Sequence, residues 1–173
     1  MNKDNHSKVG KQVFPKGKST SDHRTPLDLF YSLGNFDLDV ASNEDNHLCE
    51  YYFTEKDNGL HQPWNASRVW CNPPYNNISQ WLNKGIHEVH YAKNCDEVVF
   101  LLPALTSTKW FKLAWLNAER VSFIHGRLNF IGPYMNTDLK ATAPFPSVLI
   151  YINRKNSPQR IVNMISRKGE LID

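Results

Sequence analysis

The sequence has no apolar run near the ~18–20 residues that a bilayer-spanning helix needs. No apolar stretch follows Met1-Asn2-Lys3-Asp4-Asn5-His6, so no secretory leader is expected either. Cysteine is scarce: Cys49, Cys71 and Cys95 are far apart, odd in number and form no C-x-x-C. That argues against a disulfide scaffold and a cysteine-rich zinc site, and points to a reducing cytoplasm. The histidines show no metal-ligand spacing beyond His87-x-x-His90, which reads better as two solvated helix positions, so no metal is expected. No internal repeat is visible.

What remains is a soluble globular composition, with 40% hydrophobic, 12% aromatic and 21% charged residues in a chain of 173. This length points to one domain, which on folding hides about 68–70% of its extended surface. The net charge of +3 conceals a pattern. Residues 1–24 carry six cations and two anions, residues 153–173 five cations and two anions, and residues 25–152 nine cations and thirteen anions. Thus a body of charge −4 lies between ends of +4 and +3. Such ends are either solvated extensions or arms for a polyanion, where lysines displace counterions from phosphates. The expected organisation is a disordered basic tail (1–24), a folded domain (25–152) and a basic C-terminal extension (153–173).

Thr25-Pro26 reads as a helix start, with Thr as N-cap and Pro at the first helical position, and Gly34 as its stop. Strands are expected at Phe36–Val40, Tyr51–Phe53, Arg68–Cys71, Glu97–Leu102, Val121–Ile124 and Ser147–Ile152. Helices are expected at Asn43–Cys49, from Ile78 to about Tyr91, and after a Thr106-Ser107 cap. Strands alternating with helices argue for an α/β sheet with helices on both faces. The close final strands suggest an otherwise parallel sheet that ends in an antiparallel hairpin.

Asn72-Pro73-Pro74-Tyr75 follows a predicted strand and precedes a predicted helix, which places it at the carboxyl end of a parallel strand, where ligands bind. Two prolines remove two backbone donors and stiffen the turn. The Asn side chain adds a carbonyl acceptor, and Tyr a flat ring. The cluster suits a planar group bearing an NH₂, with oxygens accepting its hydrogens and the ring stacking on its face. The bland alternative is a Pro-Pro turn after a strand.

With that tetrapeptide, residues 24–152 resemble the phage-type (Dam-like) DNA N6-adenine methyltransferases. The resemblance is carried by Arg24-Thr25-Pro26, Phe36-Asp37-Leu38-Asp39-Val40-Ala41, Asp57-Asn58-Gly59-Leu60 with Trp64, and Val69-Trp70-Cys71-Asn72-Pro73-Pro74-Tyr75. Trp81, Leu101-Leu102-Pro103-Ala104, Gly126-Arg127-Leu128 with Phe130, and Ala143-Pro144-Phe145-Pro146-Ser147 follow in order. It implies a Rossmann-like methyltransferase fold that moves a methyl group from S-adenosylmethionine to N6 of an adenine flipped out of double-stranded DNA. It further implies that Asn72, Pro73, Pro74 and Tyr75 are catalytic. Thr25 and Pro26 would hold the methionine end of the cofactor, and Asp39, Ala41 and Asn43 would form its loop. Asp57 would accept from its adenine amine, and Leu60 would be a further cofactor-binding residue.

The glycine-rich G-x-G of most methyltransferases is replaced by Ala41-Ser42-Asn43. Asp57 also reads as a turn residue before Asn-Gly. Phe130 reads as core or as a contact to the target base, and Arg127 as a phosphate contact or an ion-pair partner. Tyr134 and Lys140, in the proline-containing loop 131–146, are candidate DNA contacts. The tetrapeptide also serves enzymes acting on cytosine N4, RNA bases or a protein glutamine, and a silent DNA-binding protein could share the fold.

Overall fold

In the computed structural model, which describes residues 24–130, 142–155 and 159–172, the most apolar stretch forms the centre of the sheet. β4 (Cys95–Pro103) and its neighbour β6 (Ser147–Asn153) are buried along almost their whole length. Val98, Phe100 and Leu102 face one core cluster, and Val99 and Leu101 face the other. Their runs are continuous rather than alternating because both faces of the sheet are covered. Each fully buried Leu or Ile contributes about 1.5–3 kcal/mol.

The other strands are β1 (Leu38–Asp39), β2 (Tyr51–Tyr52), β3 (Ala66–Cys71), β5 (Arg120–Ile124) and β7 (Ile161–Ile165). The sheet order is β2-β1-β3-β4-β6-β5-β7. Neighbours are parallel except around β6, which runs antiparallel to both β4 and β5. This is the Rossmann-like, mostly parallel sheet with an antiparallel pair that was expected. The reversed strand is inserted within the sheet rather than placed at its edge.

Helices lie on both faces. α1 (Leu27–Ser32) buries Leu29 and Phe30 in the cluster containing Trp70 and Val99. α2 (Ile78–Ile86) and α3 (Lys109–Asn117) cover the opposite face. α2 approaches β4 closely because Gly85 has no side chain: a Cβ there would lie 2.6 Å from Phe100 Cζ.

Several boundaries differ from the sequence reading. α1 begins one residue late, at Leu27, with an extended Pro26 rather than Thr25 at its N-cap; the Thr25 hydroxyl accepts from Asn72 instead. No helix forms over 43–49. Asn43 Oδ1 accepts from Asp45 N–H (2.9 Å), and Asn46 Oδ1 accepts from Asn43 N–H (2.7 Å), so asparagine side chains displace the helical ladder. The helix after Ile78 continues as a π-helical stretch, His87–Ala92. Its wider turn buries both Glu88 and Val89. The Glu88 carboxylate accepts from Trp64 N–H, Lys84 Nζ and Asn94 Nδ2, which satisfies its burial. α3 is capped by Thr108, whose Oγ1 accepts from Phe111 N–H, not by Thr106 or Ser107. The segment 153–173, read as an extension, contains β7, paired in register with β5 from Arg120↔Ile161 to Ile124↔Ile165. Residues 1–23, the rest of the expected N-terminal tail, lie outside the described residues.

Candidate active site

Because β1, β2, β3 and β4 are parallel, their carboxyl ends share one edge of the sheet. That edge holds Asp39, the loop after Tyr52, Asn72-Pro73-Pro74-Tyr75, and Pro103. The tetrapeptide follows β3 directly. Pro74 carbonyl accepts from Asn77 N–H (3.2 Å), which turns the chain into α2.

The Asn72 carboxamide is held at both ends. Its Nδ2 donates to Thr25 Oγ1 at 3.2 Å, and its Oδ1 accepts from the Tyr75 hydroxyl at 3.3 Å. Thr25 is only 3% exposed, so the first of these bonds is shielded from water. The Tyr75 ring meets Phe145 edge-on, with centroids 5.4 Å apart. Burial pushes the Tyr75 phenol above its ordinary value, so it stays protonated and donates. The Thr25–Asn72 contact spans 47 residues of sequence, and neither residue's local pattern announces it.

Asp39, at the end of β1, is buried. Its Oδ1 accepts from Ala41 N–H (3.3 Å) and its Oδ2 from Leu48 N–H (3.1 Å), so it organises the loop from Val40 to Leu48. Burial raises its carboxyl to about 6 against the opposing pull of these bonds and of His47. The neighbouring Cys71 thiol is fully buried and pushed well above its ordinary value, so it remains protonated at neutral pH.

The loop after β2 presses against the loop after β1. Gly59 makes this possible: a Cβ there would lie 2.3 Å from the Val40 carbonyl oxygen. The Trp64 indole N–H donates to Gly59 carbonyl at 2.8 Å and fixes the approach. The close backbone contact between the two loops is thus supplied by this one glycine. Leu60 packs half-buried against the core. Asp57 is exposed; its carboxylate accepts from the Thr54 N–H (2.8 Å) and hydroxyl (2.7 Å), and these bonds lower its pKa. This is the turn role anticipated for it.

Phe130 is 4% exposed and belongs to the core cluster of α1. Arg127 is exposed. Tyr134 and Lys140 lie outside the described residues. The segments flanking them are joined by the Asn129↔Thr142 bridge and by Ala143 N–H to Leu128 carbonyl. His87 and His90 sit on the π-helical stretch that leads to the start of β4, away from the Asn72 edge. No group of three or more His, Cys, Asp or Glu among the described residues is arranged to hold a metal.

Two curated phage proteins are similar to this chain. The "DNA N-6-adenine-methyltransferase" of Escherichia phage T1 is 35% identical over 96 residues, covering 55% of this chain and 39% of that protein. The protein of the same description from Haemophilus phage HP1 is 35% identical over 98 residues, 56% of this chain and 55% of that one. The matches thus span about half or less of those relatives. A solved structure of the Type IIL restriction-modification enzyme MmeI in complex with DNA aligns with 74% of this chain and 22% of its own, at 14% identity and a TM-score of 0.46. Residues 16–173 match the family described as DNA N-6-adenine-methyltransferase (Dam), and the chain belongs to that family.

Proposed function

We propose that this protein methylates N6 of adenine in double-stranded DNA, with S-adenosylmethionine as donor. The observation that carries the reading is the Asn72 carboxamide, fixed by Thr25 and Tyr75 at the carboxyl end of β3, in a chain of this family. The phage relatives point to work inside an infected host cell. Among the described residues, no helix is long and apolar enough to cross a membrane.

The residues present fit the cofactor. Arg24 Nε, next to Thr25-Pro26, is buried without a hydrogen-bond partner among the described residues. An amino-acid carboxylate is the acceptor such a donor calls for, which suits the methionine end. Thr25 acts here through Asn72 as well as beside that end. The loop that Asp39 organises carries Ala41 and Asn43 and, together with Asp57 and Leu60, would enclose the nucleoside end. When bound, the cofactor supplies a methyl group already activated on a sulfonium.

The chain's own work concerns the amine. The N6 lone pair is delocalised into the adenine ring and is weakly nucleophilic. Asn72 Oδ1 and the Pro73 carbonyl would accept its two N–H groups, favouring a pyramidal nitrogen and stabilising the positive charge that develops there. Because Asn72 is held by Thr25 and Tyr75 and the Pro-Pro backbone is stiff, little reorganisation is needed during reaction. The adenine must first leave the duplex, at a cost of a few kcal/mol, and the Tyr75 ring would stack on it and offset part of that. Arg127, Tyr134 and Lys140 would meet the DNA backbone, whereas Phe130 packs in the core.

The test separates chemistry from binding. Asn72→Ala is expected to abolish methyl transfer while calorimetry shows cofactor affinity within a few-fold of the parent. Substantial methylation by that variant would refute the proposed role of Asn72.

A further inference from the structure

The five cations of residues 153–173 look like one basic tail in the sequence, but the fold sends them to opposite ends of the sheet. Arg154 and Lys155 follow β6, the reversed strand, and emerge beside the start of β4. There Arg154 donates to the carbonyls of Lys93 (2.6 Å) and Cys95 (2.9 Å) and pairs with Asp96 (3.0 Å). Arg160 precedes β7 at that same end, over the Trp115 ring. Arg167 and Lys168 follow β7, which is parallel to β5, and so emerge at the Asn72 end. Arg127, which follows β5, joins them.

This grouping is held by the fold. His125 N–H donates to Ile165 carbonyl at 2.8 Å, and the Arg167 side chain passes Gly126, where a Cβ would lie 3.7 Å from its Cδ. The turn carrying Arg167 and Lys168 is closed by Ser166 Oγ, which accepts from Lys168 and Glu170 N–H groups, both at 3.2 Å. Gly169, at φ +87°, seats the turn on α1, so closely that a Cβ would lie 1.8 Å from Ser32 Oγ. The nearest carboxylate in sequence, Glu170, accepts from the Ser166 hydroxyl. Arg127, Arg167 and Lys168 are exposed, and among the described residues none of them is in an ion pair.

We propose that Arg127, Arg167 and Lys168 form a rim that binds the phosphate backbone of duplex DNA at the active-site end. This rests on the adenine-methylation reading above. From β3 to β7 is four strand spacings, roughly 19 Å. The rim therefore grips backbone away from the target nucleotide and positions the duplex without reading its sequence. Arg154 and Lys155 play no part in it.

The experiment measures binding of the full chain to a labelled duplex across a salt series. Arg167→Gln/Lys168→Gln should reduce the slope of log affinity against log salt by about 2, and Arg127→Gln alone by about 1. Lys93→Gln/Lys155→Gln, an equal charge change at the other end of the sheet, should leave the slope unchanged. Equal slope losses from the two double variants would show a general charge effect and overturn the rim, as would an unchanged slope in the Arg167/Lys168 variant. If the parent chain bound no duplex at all, the methylation reading would fall, and the rim with it.

Discussion

At the residue scale the site depends on one side-chain orientation. An asparagine amide offers a carbonyl on one side and an amine on the other, and only the carbonyl can accept from the target N–H. The Thr25 hydroxyl takes the Nδ2 side and so leaves Oδ1 for the Tyr75 hydroxyl and, in the proposed reaction, for the target N–H. Thr25→Val keeps the shape and removes the hydroxyl. It should lower kcat about tenfold and cost about 1–3 kcal/mol of stability, since the shielded Asn72 Nδ2 loses its acceptor, and Thr25→Ser should restore both. A rise in KM for the cofactor with kcat intact would instead assign Thr25 to cofactor binding alone. The Asn72 motif was legible because four specified residues stand at a strand–helix junction. The Thr25–Asn72 hydrogen bond was not: a Thr before a Pro reads as a helix cap, and its partner lies far along the chain.

At the scale of elements, long apolar runs announced themselves and short ones did not. β4 and β6 are continuous hydrophobic stretches, readable because burial on two faces demands that pattern. β7, with Ile161, Val162 and Met164 exposed at the sheet edge, has no such run, and its flanking charges made it look like a tail. The loop over 43–49 was misread because helical spacing ignored the local bonds that asparagine makes with backbone. The proposed cofactor loop after β1, poor in glycine, is packed against the loop after β2 through Gly59. Gly59→Ala must move the Val40 carbonyl, since backbone cannot yield as a flexible side chain does. It should cost about 1–3 kcal/mol of stability and weaken cofactor binding, as read by thermal denaturation and calorimetry. Unchanged values for both would separate this glycine from the cofactor loop.

At the scale of the whole molecule, the charge pattern gains a direction. The sequence shows basic ends around an acidic body; the reversed strand β6 decides which C-terminal cations reach the Asn72 end of the sheet. The central claim is that this edge methylates adenine. The most direct measurement incubates the full chain and S-adenosylmethionine with duplex DNA free of adenine methylation, digests the DNA and identifies the modified nucleoside. The account predicts N6-methyladenine, formed by the parent chain and absent with Asn72→Ala. N4-methylcytosine as the product, or transfer to RNA or protein in preference to DNA, would contradict it.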